Sequence, residues 1–192
     1  MKKVLLLIAC GLAFYACVPT QTSQSTPQPS IVCLVDSFVA SHPDFMNNAI
    51  TREQANADWE KAVLDSLKNP HFLDGISLTM IRINKTKKNG YIAQFRSAYN
   101  NYDCYRNIRE LYFDVLTYVP DSIALTLVEK EDYTICGDII GPIDFSTMEK
   151  LYEAPLDRYT DDYSISKYEY QEGKYDIKMA NIMMDIKEFK RN

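Results

Sequence analysis

The densest concentration of chemically capable side chains lies in KLYEAPLDRYTDDYSISKYEYQEGKY, residues 150–175, where six of the chain's 14 tyrosines are interleaved with acidic residues. Tyr152, Tyr159, Tyr163, Tyr168, Tyr170 and Tyr175 offer large amphipathic surface at little entropic cost, suited to stacking on a sugar ring or covering a protein partner. Asp157, Asp161 and Asp162 cluster around the middle tyrosines, so Tyr159, Tyr163 and Tyr168 with these three acids form a candidate binding loop. Two other readings compete: tyrosines that pin a long loop to its own domain, and calcium held by the three aspartates. The aspartate spacing lacks the alternation of a calcium loop. Because charged groups need water, Tyr159, Tyr163 and Tyr168 are expected to be exposed, and Tyr152 and Tyr175, nearest the strand ends, to be buried.

Catalytic arrangements are absent from the motif level. The chain contains no GxSxG elbow, HExxH pair, P-loop or GxGxxG turn. His42 and His71 are the two histidines, each beside a proline at a helix boundary and without the paired spacing of a metal site. No catalytic residue, metal or cofactor is assigned. A nucleophilic Cys104 with a histidine is formally available, but nothing in the chain order brings the two together.

The front of the chain sets the compartment. MKKVLLLIACGLAFYAC places two lysines before an apolar run, Val4 to Ala16, and a small residue before Cys17, the three parts of a secretory signal. It resembles a bacterial lipoprotein signal, in which cleavage exposes a cysteine that then carries acyl chains such as palmitate. Phe14 and Tyr15 stand where that box has leucine and a small residue, so the resemblance rests on Ala16, Cys17 and the flanks. LIAC, ending at Cys10, is a closer copy, but it leaves only Val4–Ala9 as the apolar core, short of the roughly 7 residues a signal needs. An ordinary cleaved signal and an uncleaved apolar N-terminus are the alternatives. The following VPTQTSQSTPQPS has no charge and no large apolar residue after Val18, as a tether would. The organisation expected is therefore a signal at 1–16, a tether at 17–29 starting at lipidated Cys17, and one domain at 30–192. The address implied is the bacterial cell envelope, on the periplasmic side of the outer membrane.

Loss of residues 1–16 removes Lys2 and Lys3 and takes the formal charge from −5 to −7. Phosphate neutralisation needs the opposite balance, so no nucleic-acid partner is expected. Besides Cys17 the exported part keeps Cys33, Cys104 and Cys136, which allow at most one disulfide among them. Cys33 in an apolar stretch and Cys136 in a strand read as small buried hydrophobes, and Cys104, in NNYDCYRN, as the exposed thiol.

The elements that must carry these residues follow from periodicity. Ser30 and the apolar spacing Ile31, Leu34, Val35, Phe38, Val39 predict a short amphipathic helix. TREQANADWEKAVLDSLKNP predicts a second, with a Thr51–Gln54 capping box and a core face of Ala55, Trp59, Ala62, Val63 and Leu67. From Gly75 the period becomes two. Ile76, Leu78 and Met80 keep one phase, Ile81 and Ile83 the other, which marks a β-bulge, and residues 75–97 read as a hairpin. ELYFDVLTYV, SIALTLV, DYTICGDIIG and YDIKMANIMMDI read as further strands. Without helices long enough for parallel crossovers the sheet is expected to be antiparallel. The fold class expected is α+β, mainly β: two helices, then a small five-stranded antiparallel barrel, with residues 150–175 linking the fourth and fifth strands.

The series GISLTMIRINK, GYIAQFRS, LYFDVLTYV, EDYTICGDIIG and YDIKMANIMM, over residues 74–186, resembles the OB-fold. Within that fold it is similar to bacterial lipoproteins grouped with tRNA-anticodon-binding-like domains. The resemblance brings no binding residues with it. The function expected is a lipid-anchored, non-catalytic binding module for an envelope protein or glycan; the alternative is a small extracytoplasmic hydrolase.

Overall fold

The computed structural model describes residues 30–86, 90–97, 108–144, 146, 147, 150, 163–167 and 173–192, with the backbone alone for Ser166 and Lys167. Cys17, Cys104, Tyr152, Asp157, Tyr159, Asp161, Asp162, Tyr168, Tyr170, the signal and the tether lie outside the described residues.

Two helices come first, α1 (Ser30–Ser41) and α2 (Ala49–Ser66). Helix α1 buries Ile31, Val35 and Phe38 of the expected stripe together with Val32, while Leu34 and Val39 are half-buried at its edge. Helix α2 starts earlier than its TREQ signature suggests. Asn48 is the N-cap, accepting from the Ile50 and Thr51 amides at 2.9 and 3.0 Å. Thr51 completes the box by accepting from the Asn48 amide at 3.1 Å. The box is thus Asn48–Thr51 and not Thr51–Gln54, because Asn caps at least as well as Thr and three more residues can join the helix. Trp59 is wholly buried and packs edge-on against Phe38, with ring centroids 5.2 Å apart. Burying a ring of that size removes about 200 Å² from water, roughly 5 kcal/mol, and this contact locks the two helices together.

The strands are β1 (Ser77–Lys85), β2 (Tyr91–Ser97), β3 (Ile108–Tyr112), β4 (Asp114–Val119), β5 (Asp132–Pro142), β6 (Ser164–Lys167), β7 (Tyr175–Lys178) and β8 (Ile182–Arg191). Five of them close into a barrel in the order β1-β2-β4-β8-β5. The fold is therefore α+β, two N-terminal helices followed by a closed five-stranded barrel. The expected bulge is present between Met80 and Arg82, where Ile81 drops out of register. It lets Leu78 and Met80 before it and Ile83 after it all face the core.

Two expected strands are broken, and the breaks lie side by side. ELYFDVLTYV divides at Phe113 into β3 and β4, and YDIKMANIMMDI divides at Met179–Asn181 into β7 and β8. The Met179 amide donates to the Tyr112 carbonyl at 2.9 Å across the gap. Below the break β4 and β8 pair in parallel and seal the barrel; above it β3 and β7 pair in parallel and carry β6 as a three-stranded sheet. The other four barrel junctions are antiparallel. Alternation alone does not reveal that parallel seam, because more than sixty residues, β5 among them, separate its two strands and no local pattern links them.

SIALTLV is not a strand. It forms a single helical turn, α3 (Asp121–Ala124), started by Pro120. Ile123 and Leu127, four apart, both pack on the core at one end of the barrel, a helical spacing that outweighs the β-branched content. Residues 150–175 are likewise more than a connection, since they contain β6.

Candidate functional site

Alternation divides each barrel strand into a core face and an outward face. On β2, Tyr91, Ala93 and Phe95 join the core, so Ile92, Gln94 and Arg96 point outward. The register extends that assignment across neighbouring strands in three rows. Asn84 of β1, Ile92 of β2 and Tyr118 of β4 form the first; Arg82, Gln94 and Leu116 the second; Arg96 and Asp114 lie in the third.

The second and third rows are tied by one chain of hydrogen bonds. Arg82 Nε donates to Gln94 Oε1 at 2.8 Å, and Gln94 Nε2 donates to Asp114 Oδ2 at 2.9 Å. Arg96 donates from Nε and Nη2 to the two Asp114 oxygens at 2.8 and 3.0 Å. Its guanidinium also lies 5.1 Å from the centre of the Tyr112 ring, within cation–π range. The Asp114 carboxylate is fully buried, so these three donors replace the water it has lost. Both ends of Gln94 are used, which fixes its amide orientation.

The first row differs in kind. Tyr118 is 55% exposed, the one exposed large aromatic among the described residues. Next to it Ile92 is fully buried. Beyond Ile92, Asn84 Nδ2 is buried without a hydrogen-bond partner among the described residues, and so is the hydroxyl of Thr86, two residues along the same face. Tyr118, Asn84 and Thr86 belong to no motif of the sequence. The signal was there in LTYVP and RINKT, where alternation puts Tyr118 in phase with Leu116 and Asp114, and Asn84 and Thr86 in phase with Arg82.

The residues singled out from sequence fare differently. Tyr163, expected in water, is half-buried and packs against the core. Tyr175, expected buried, is also half-buried; its ring lies 5.9 Å from that of Phe45, and burial pushes its phenol above the ordinary value. Phe45 in turn floors an open hollow of about 440 Å³ between the end of α1 and the start of α2, with Ile50 80% exposed at its rim. Cys33 and Cys136 are exposed, not buried. The apolar neighbours misled: Cys33 falls on the side of α1 away from Ile31, Val35 and Phe38, and Cys136 points outward between inward-facing Ile135 and Gly137. Burial, weak though it is, and the carboxylates of Asp74 and Glu188 push the Cys136 thiol up, which favours the unreactive protonated form.

Both histidines serve as loop and helix-end residues. His42 stacks on Phe38 at 4.1 Å and sits 3.5 Å from the Asp58 carboxylate; His71 Nδ1 is 2.9 Å from Asp74. Among the described residues no three His, Cys, Asp or Glu side chains gather as a metal site. Comparison with known proteins finds no family model, no curated protein and no solved structure that matches the chain.

Proposed function

We propose that the chain is a lipid-anchored cell-envelope protein whose barrel acts as a non-catalytic binding module, presenting Tyr118, on the outward side of β4, to an envelope protein or glycan. The exposed ring of Tyr118 carries this reading. It stands on a face whose neighbouring rows are held by the Arg82–Gln94–Asp114–Arg96 chain, and a rigid frame is what a preorganised contact requires. Small OB-type barrels bind polymers on the corresponding side, and that analogy of fold supports a contact at Tyr118 here. The candidate loop at 150–175 is a second contact in this proposal, with Tyr159, Tyr168, Asp157, Asp161 and Asp162 as its contact residues and Tyr163 as the anchor that ties it to the core.

The anchor part rests on the N-terminal signal, with Cys17 as the acylated residue. Two or more acyl chains on Cys17 hold a protein stably at a membrane, where one chain binds only marginally. The test is capture from detergent-solubilised envelope with the intact acylated protein as bait. The expected result is a partner retained by the natural chain and lost with Tyr118→Ala. Equal retention by both baits would refute Tyr118 as the contact.

A further inference from the structure

We draw no further inference here: the strongest candidate, the open hollow between the end of α1 and the start of α2, floored by Phe45 with Ile50 exposed at its rim, is an unpartnered apolar face, and nothing in the structure shows what covers it.

Discussion

Arg96 grips the fully buried carboxylate of Asp114 through two parallel hydrogen bonds, joining the middle of the barrel's outward face to the end of β4 where the strand breaks. A carboxylate so placed depends on its donors, since no water reaches it.

Arg96→Met should therefore cost about 3 kcal/mol, the lower end for removing one partner of a buried ion pair. Urea unfolding would read this as a lower midpoint with an unchanged slope. A loss under about 0.5 kcal/mol would place the pair with exposed ones.

Gly137 marks where β5 bends against β8. A Cβ there would lie 2.4 Å from the Asp185 carbonyl oxygen and 2.6 Å from the Ile186 Cα, both backbone atoms that cannot swing aside. Gly137→Ala should cost more than about 3 kcal/mol, at the severe end for single substitutions, and open amide exchange along both strands. A stable Gly137→Ala protein would mean that the strands separate freely at this point.

The cap of α2 separates two sequence readings by measurement. Asn48→Ala should cost about 1 kcal/mol, because two amides lose their acceptor. Gln54→Ala should stay within about 0.5 kcal/mol, as an exposed helical site does. The reverse order in thermal unfolding would restore Thr51 and Gln54 as the capping pair.

For the anchor, the mass of protein extracted from its native membrane should show loss of residues 1–16 and acyl chains on Cys17. Cys17→Ser should leave the protein in the soluble fraction. An unmodified Cys17 in the native host would end the lipoprotein reading.

Much of the framework was legible in the chain itself because it is local. Trp59 on the stripe of α2, the change of phase between Met80 and Ile83, and Gly137 within a β pattern each state their role within a few residues of their own position. Local order even held the facing of Tyr118, although nothing local said it would be the exposed member of its row. What only the tertiary structure decided depends on residues far apart in sequence. The breaks at Phe113 and Met179–Asn181 occur because two long strands leave the barrel together and pair in parallel, a contact over more than sixty residues that no periodicity encodes. The exposure of Cys33 and Cys136 is settled by which side of each element meets a neighbour. The unpaired state of Asn84 and Thr86 belongs to the same class, since a side chain's type lists what it can bond to and only packing determines what lies within reach.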